Sequence, residues 1–358
     1  MNLRVLRLDD FRLFQQAECA FIDGWNLLLG PNGAGKSSLI EAAFLLSHGR
    51  SFRARSRDAL ARHGQGGYSV FGEVMSAGRP ARLGLARRQG RIEARIDGES
   101  APIGDLMRQV AVVCFEPGSH ELVSGPSDVR RRCLDWGVFH VEHTFLAAWR
   151  RYQKTLRQRN ALLRGDTRAG ALEPWDIALA EAAMPLIAMR ARYFERFSAH
   201  AAAAFGRFLP ELGMARFSLS APPMDVDALR EALRQRRDRD RLRGHTSVGP
   251  HRTDWTFSFG ETGRREHLSR GQEKLCALAL ALAQAQLFAA ERGEWPILCL
   301  DDLASEVDAE HLQRVLDVLD AQPLQILLTG TALPTGMDGR RRATATFHVE
   351  QGRIERLL

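Results

Sequence analysis

The chain has 358 residues, of which 45% are hydrophobic and 26% are charged, a composition ordinary for a folded globular protein. Global disorder is therefore excluded, and the length fits one or two domains. The formal net charge of +7 favours an anionic partner such as nucleic acid or an anionic membrane surface. Many basic proteins bind neither, so charge alone leaves the partner open.

The first third of the chain has the pattern of strands around a glycine-rich loop. Residues 3–8 alternate as a strand, and the apolar run 25–29 leads into the loop. Residues 37–46 then have helical spacing. From 68 to 103, short alternating runs separated by turn signals predict an antiparallel sheet of three or four strands, followed by a buried strand at 110–115.

Strand signals nearly vanish between residues 125 and 244. Helices are predicted over 130–163, 174–208 and 226–242, and α/β character returns with strands at 253–259, 297–300 and 325–329. A long helix should follow Ser269, another should cover 309–319, and a hairpin should close around Gln351-Gly352. The prediction is an α/β head built from residues 1–124 and 245–358, with a helical lobe inserted at 125–244.

The segment Gly30 to Ser37 fits the pattern G-x4-G-K-S between a strand and a helix. Its glycines let backbone N–H groups surround phosphate oxygens, and the following helix directs its N-terminus at the same anion. Lys36 would neutralise phosphate charge, and the Ser37 hydroxyl would bind Mg²⁺. The alternative is a glycine-rich turn with an incidental lysine. The predicted ATP-binding residues here are Gly30, Pro31, Asn32, Gly33, Ala34, Gly35, Lys36, Ser37 and Ser38.

An apolar strand at 297–300 ends in Asp301 and Asp302. Such a strand places its terminal carboxylate beside a phosphate loop, so Asp301 is predicted to hold Mg²⁺. Asp302 is the candidate to orient or deprotonate the attacking water. Lys36, Asp301 and Asp302 are thus the predicted catalytic residues. The alternative is a surface pair of aspartates that caps a strand.

The pentapeptide Leu268-Ser269-Arg270-Gly271-Gln272 precedes these aspartates by about thirty residues. Taken alone, Ser269 could simply cap a helix. In the order observed, the three motifs resemble those of ABC-type ATPases, and LSRGQ resembles their LSGGQ signature. That resemblance implies an ABC-type P-loop ATPase head. It also implies a head-to-tail, ATP-dependent homodimer in which Ser269, Gly271 and Gln272 contact ATP bound by the other copy.

Further elements are more specific: Ser51-Phe52-Arg53, Arg130 to Trp136, Gln158 to Leu163 and Gly249-Pro250-His251-Arg252-Thr253-Asp254. With them the whole chain resembles the RecF family of bacterial recombination mediators, which have an SMC/Rad50-like head. The resemblance implies ATP-dependent binding to DNA at gaps or single-strand/double-strand junctions, a weak DNA-dependent ATPase, and help in loading the RecA recombinase with RecR and RecO as partners.

Three positions depart from ABC transporter heads. Glu116 and the Thr329–Thr331 turn stand where those heads carry Gln and His, so they are candidates for sensing the γ-phosphate. Asp302 stands where Glu is common, and its shorter side chain suggests slow hydrolysis. Two alternatives remain open: the ATPase subunit of a membrane transporter, and a scaffold that binds ATP without hydrolysing it.

Duplex DNA would be held through phosphate contacts. Two basic clusters, Arg130 to Arg132 and Arg234 to Arg243, could make such phosphate contacts, or each could instead form internal ion pairs. The predicted DNA-binding residues are Arg53, Arg55, Arg150, Arg151, Lys154 and Arg157.

Five scattered cysteines without metal-ligand spacing indicate reduced thiols and a cytoplasmic protein. The N-terminus has no apolar signal region. The most apolar stretch, 275–290, is interrupted by Gln284 and Gln286. It is predicted to be a buried helix, so no membrane contact is expected.

Overall fold

The computed structural model describes all residues except 55, 166–169, 261–262, 265–266, 338–339, 341 and 358. The chain forms two compact units. The first comprises Met1–His120, Ala204–Pro210 and Leu268–Leu358, and the second comprises Glu121–Ala203 and Glu211–His267. We call them the head and the lobe.

One sheet of the head is antiparallel and has six strands in the order β2-β1-β4-β5-β6-β7. The sequence predicted strands after residue 68, but it missed the hairpin at the beginning, where Phe11 pairs with Phe14 around a tight turn. The strands are β1 (Asn2–Phe11), β2 (Phe14–Ala20), β4 (Tyr68–Ser76), β5 (Arg79–Arg88), β6 (Arg91–Ile96) and β7 (Glu99–Ser100).

The second sheet of the head is mixed, in the order β15-β14-β3-β13-β12-β8. Its strands are β3 (Trp25–Leu29), β8 (Val112–Phe115), β12 (Ile297–Leu300), β13 (Ile326–Gly330), β14 (Thr344–Glu350) and β15 (Arg353–Arg356). All neighbours are parallel except β14 and β15, which form the predicted hairpin. Since β13 lies between β3 and β12, the segments that follow these strands meet at one edge of the sheet.

The helices of the head are α1 (Lys36–His48), α2 (Ile103–Arg108), α9 (Arg270–Arg292), α10 (Leu303–Glu306) and α11 (Ala309–Asp320). A single hydrophobic core joins both sheets to α1 through buried residues such as Leu6, Phe14, Leu28, Ile40 and Leu327. This α/β head, with one mixed and one antiparallel sheet, is the predicted fold class. The packing fixes α1 and the loop before it against the parallel strands.

The lobe contains α3 (Glu121–Ser124), α4 (Ser127–Val141), α5 (Phe145–Arg164), most of α6 (Glu173–Phe208), α7 (Val226–Gln235) and α8 (Arg237–Arg243). The region predicted as helical over 130–163 is divided into two helices, because Glu142 adopts an extended conformation that ends α4. Likewise, the segment predicted as one helix over 226–242 is divided at Arg236.

A small sheet within the lobe moves the predicted domain boundary. Strand β9 (Ala215–Ser220) pairs antiparallel with β10 (Asp254–Phe259), which also pairs with β11 (Gly263–Arg264). The sequence assigned residues 245–358 to the head, but the hydrogen-bonded pairing of β10 with β9 places β10 in the lobe. The compact lobe therefore runs to His267 rather than ending at residue 244.

Helix α9 is, among the described helices, the one long and apolar enough to cross a membrane by length and composition. Its most apolar 18-residue window is 72% buried inside the structure. The core helix of a globular protein passes the same test, and this burial agrees with the buried helix that the sequence predicted.

Candidate nucleotide site

The glycine-rich loop between β3 and α1 has a backbone that other residues would strain. Gly30 and Gly35 have φ of 154° and 111°. A Cβ on Gly35 would lie 2.8 Å from the Phe14 ring, and one on Gly30 would lie 2.0 Å from the Val349 carbonyl oxygen. Both the torsion angles and the close packing therefore require glycine here. The loop leads directly into the first turn of α1, whose early N–H groups have no intrahelical acceptor.

Lys36 curls back over this loop. Its ammonium donates hydrogen bonds to the carbonyl oxygens of Gly30 at 2.7 Å and Pro31 at 2.8 Å. Burial lowers the pKa of Lys36, while the nearby carboxylates of Asp302 and Asp301 act in the opposite direction. The lysine is thus a buried cation held at the loop, where a phosphate group could replace its carbonyl partners.

The predicted magnesium ligands Ser37 and Asp301 lie together, although 264 residues separate them in sequence. The Ser37 hydroxyl donates to Asp301 Oδ1 at 2.8 Å. Asp301 is buried directly after β12, and Ser37 lies in the first turn of α1. A hydroxyl and a carboxylate oxygen are ligands that suit Mg²⁺, so these residues fit the metal that the motif implies.

Thr329 at the end of β13 organises both aspartates. Its hydroxyl donates to Asp301 Oδ1 at 2.7 Å and accepts the backbone N–H of Asp302 at 2.9 Å. Asp302 has the left-handed torsion angles φ 55° and ψ 35°, which an aspartate adopts at a cost. Thr329 was predicted as a candidate sensor of the γ-phosphate, and its hydroxyl here positions the aspartate pair.

The other candidate sensor, Glu116, follows β8. Its carboxylate accepts the N–H of Gly118 at 2.6 Å, and its own N–H donates to Ser119 Oγ at 2.9 Å. These bonds hold the turn after the strand. Glu116 is not among the described residues that line the cavity beside the phosphate loop.

That cavity has a volume of about 710 Å³, within the range of ligand pockets. Its lining includes Asn32 to Ser38 of the loop together with Asp302 and Thr329. The lining also includes residues that sequence reasoning did not assign to nucleotide: Arg12, Leu13, Ala54, Ala59 and Ala61, together with Arg53, which was predicted to contact DNA. Apart from Arg53 in the Ser51-Phe52-Arg53 element, no motif marks these positions, since they come together only through the tertiary fold.

The signature residues Ser269, Gly271 and Gln272 lie at the beginning of α9. Ser269 Oγ accepts the N–H of Gln272 at 3.3 Å, and Gln272 Oε1 accepts the N–H of Ser269 at 2.9 Å, which is a capping box. Ser269 and Gly271 are exposed. None of the three is among the described residues lining the cavity of the same chain.

Most charged residues of the remaining motifs pair within the lobe. Arg130 is buried and binds both oxygens of Asp254 through Nε at 2.8 Å and a terminal nitrogen at 2.9 Å. Arg131 donates to the Thr253 carbonyl oxygen at 2.9 Å, and Arg132 pairs with Asp128. The cluster 130–132 is therefore structural, which is one of the two possibilities that the sequence left open.

The predicted DNA-binding residues on α5 have a different environment. Arg150, Arg151, Lys154 and Arg157 are solvent-accessible, and their spacing puts them on one face of the helix. Arg151 lies 3.9 Å from Glu181, both side chains being more than half exposed. Arg55 lies outside the described residues.

Comparison with known proteins identifies the family to which this chain belongs. The profile of the RecF/RecN/SMC N terminal domain family matches residues 2–355. The protein named DNA replication and repair protein RecF from Stenotrophomonas maltophilia (strain R551-3) is 46% identical over 361 residues, covering 99% of each chain. The chain belongs to the RecF family. A more distant member, from Hydrogenovibrio crunogenus, is 36% identical and covers 91% of each chain.

Solved structures agree with this RecF assignment. A structure described as the recombination mediator protein RecF-ATP in the RecFOR pathway superimposes with a TM-score of 0.90 at 27% identity, covering 99% of this chain and 97% of that one. The Smc head domain from Pyrococcus furiosus, at 14% identity and a TM-score of 0.60, shares the fold. The match is with RecF, so the transporter alternative loses its support.

Proposed function

We propose that this chain is an ATP-dependent DNA-binding protein of recombinational gap repair, which dimerises around ATP on DNA and releases it by slow hydrolysis. The observation that carries the proposal is that Lys36, Ser37 and Asp302 line one cavity of the head, with Asp301 hydrogen-bonded to Ser37. Its family supports the biological setting, since its relatives are named as DNA replication and repair proteins.

In this proposal, the loop residues 30–38 hold the phosphates of ATP. Lys36 exchanges its carbonyl partners for phosphate oxygens, which it binds more strongly because both partners are charged. Ser37 and Asp301 hold Mg²⁺, which when bound neutralises charge on the β- and γ-phosphates. Asp302, fixed by Thr329, orients the attacking water. Its short carboxylate suits a slow hydrolytic step.

Ser269, Gly271 and Gln272 contact the ATP held by a second copy of the chain. The exposure of Ser269 and Gly271, and the absence of all three from the described lining of the cavity, support a contact in trans. Ser269→Arg should leave ATP binding by the monomer intact and block ATP-dependent dimerisation, measured by light scattering with and without ATP. Loss of ATP binding itself would mean that the signature acts within one chain.

DNA would be held by the outer face of α5, where Arg150, Arg151, Lys154 and Arg157 present four cations. Contacts of this kind go to phosphates, so binding should depend on salt and tolerate sequence changes. Loading of a recombinase would engage RecR and RecO in the cytoplasm, as the family implies. No membrane is involved in this proposal.

The decisive experiment measures binding to gapped, duplex and single-stranded DNA with and without ATP at low salt. Changing the four α5 cations to Gln should weaken binding and reduce the slope of log K against log salt by about 0.9 for each phosphate that is no longer neutralised. The matched control changes Arg230 and Arg234, which pair with acids on α7. The absence of ATP-dependent DNA binding would favour a different function.

A scaffold that binds ATP without hydrolysing it is the remaining alternative. Asp302→Asn separates the two hypotheses, because it removes the carboxylate that orients water and leaves Lys36, Ser37 and Asp301 in place. ATP turnover should fall while ATP binding and dimerisation persist. If turnover by the unchanged protein equals that of the variant, the scaffold hypothesis is the correct one.

A further inference from the structure

Three chain segments form a second wall of the nucleotide cavity, separate from the phosphate loop. Arg12 and Leu13 come from the β1–β2 turn, Arg53 and Ala54 from the loop after α1, and Ala59 and Ala61 from the short helix Arg57–Leu60 and its end. We call these six residues the second wall. Short turns and loops of this kind do not hold one arrangement by themselves, so something must fix them.

The side chain that joins them is Glu41 of α1, which is fully buried. Its Oε2 accepts Arg12 Nε at 2.7 Å, and its Oε1 accepts a terminal nitrogen of Arg12 at 2.6 Å, so the pair is bidentate. Oε1 also accepts the Ser51 hydroxyl. One carboxylate thus binds two of the three segments directly.

The bonds extend from these partners to the rest of the wall. Ser51 Oγ accepts the backbone N–H groups of Arg53 at 2.8 Å and Ala54 at 2.7 Å. The remaining terminal nitrogen of Arg12 donates to the Ala59 carbonyl oxygen at 2.7 Å. Every segment of the second wall is therefore within two hydrogen bonds of the Glu41 carboxylate.

Arg12 lies in the two-residue turn of the β1–β2 hairpin, with a φ of 57°. Left-handed torsion angles are common in such turns, so the turn sets the backbone of Arg12 and leaves its side chain to be fixed by other contacts. The fork of Arg12 on Glu41 supplies such a constraint, since a planar guanidinium and a carboxylate fix each other's orientation.

We propose that Glu41 is a positioning residue that sets the second wall for the part of the nucleotide beyond the triphosphate. It lies on α1 one turn after Ser37, so the helix that presents phosphate-binding groups also carries the carboxylate that holds the wall. The proposal rests on the proposed ATP binding and adds to it. The phosphate loop recognises the phosphates, and Glu41 governs how well the nucleoside is accepted, without touching it.

The test compares two probes, ATP and inorganic tripolyphosphate, each titrated by calorimetry with Mg²⁺ present. Tripolyphosphate reports the phosphate loop alone, and the ratio of the two affinities reports the second wall. Glu41→Gln keeps the shape of the side chain but removes the charge that Arg12 needs. We expect ATP affinity to fall about tenfold, equivalent to one charge-assisted hydrogen bond, with tripolyphosphate affinity unchanged.

Two further variants keep the test decisive. Ser51→Ala removes one partner and preserves the Arg12–Glu41 pair, so it should lower the same ratio by a smaller factor even if Glu41→Gln folds poorly. Glu18→Gln on the same hairpin breaks an exposed pair with Arg7 and should leave both affinities unchanged.

Equal loss of ATP and tripolyphosphate affinity in Glu41→Gln would show that Glu41 merely supports α1, and would overturn the proposal. An unchanged ratio in both Glu41→Gln and Ser51→Ala would do the same. Failure of the unaltered protein to bind either probe would instead refute the proposed ATP binding, so the two failures are distinguishable.

Discussion

The head and the lobe use their motif residues in opposite ways. In the head, Lys36, Asp302 and the glycine-rich loop face a cavity of about 710 Å³. In the lobe, the motif residues Arg130 and Arg159 are buried, and they bind Asp254, Asp176 and Asp240 of the same unit. Charged residues in specific motifs therefore have two kinds of role. Charged side chains that face a cavity indicate ligand binding, and charged side chains that pair with each other in the interior indicate a structural role.

The largest expected effect breaks that framework. Arg159 is fully buried, with Nε 2.7 Å from Asp176 and a terminal nitrogen 2.9 Å from Asp240. Arg159→Met removes the buried cation between two buried carboxylates, leaving Asp240 without its arginine and Asp176 with Arg237 alone, which should lower the free energy of unfolding by about 3–5 kcal/mol. Urea unfolding measures it, with the exposed Arg234→Met as the matched control. A stability equal to that of the unaltered protein would contradict a structural role for this motif.

The corresponding change in the head should affect binding rather than folding. Lys36→Met removes a cation from the phosphate site, so ATP affinity should fall by about 100-fold, or about 3 kcal/mol. ATP-dependent dimerisation should be lost with it. Calorimetry and light scattering measure the two effects, and Lys154→Met on α5 is the control that should leave both intact. A Lys36→Met protein that still dimerises with ATP would refute the mechanism.

The lobe should also carry a pH dependence. His251 Nδ1 lies 2.6 Å from the Tyr152 hydroxyl, and Nε2 lies 2.9 Å from the Thr246 carbonyl oxygen. Burial lowers the pKa of His251 to about 4, so the folded state favours neutral histidine. The resulting stability is complete above the ordinary pKa of about 6.5 and is lost as the pH falls towards 4.

The pH effect should amount to about 3 kcal/mol at most. Urea midpoints at about pH 7.5, 6 and 4.5, which cover most of the interval between the two pKa values, measure it in the unaltered protein and in His251→Asn, which cannot titrate there. We expect a flatter profile for the variant over this range. Parallel profiles would show that His251 does not supply the dependence.

The smallest effect concerns the support of the proposed catalytic pair, Asp301 and Asp302. Thr329→Val keeps the shape of the side chain but leaves the N–H of Asp302 without its acceptor, which should cost about 1–2 kcal/mol of stability. ATP turnover should fall with it, because Asp302 loses the hydrogen bond that holds its strained backbone. Thr329→Ser retains the hydroxyl and should preserve both. Unchanged ATP turnover in Thr329→Val would show that Thr329 does not support the proposed catalytic site.

The sequence by itself located the motifs of the proposed nucleotide site. The pattern at Gly30 to Ser37 specifies its own strand, loop and helix, because its spacing and glycines leave few other backbones. The acidic strand end at Asp301 and the signature at Ser269 could likewise be located from local pattern. These motifs can be recognised from sequence because each consists of residues that are adjacent along the chain.

Only the tertiary structure revealed the features that depend on contacts between residues far apart in sequence. The ladder between β9 and β10 placed residues 245–267 in the lobe, because strand pairing joins segments that share no local signal. Arg130 was resolved as a framework residue only by the carboxylate of Asp254 beside it. No nucleotide-binding motif marks Arg12, Glu41 or Ser51. They are connected because the carboxylate of Glu41 on α1 is buried beside the β1–β2 turn and the loop after α1. A buried charge must find partners, and which partners it finds is a property of the fold.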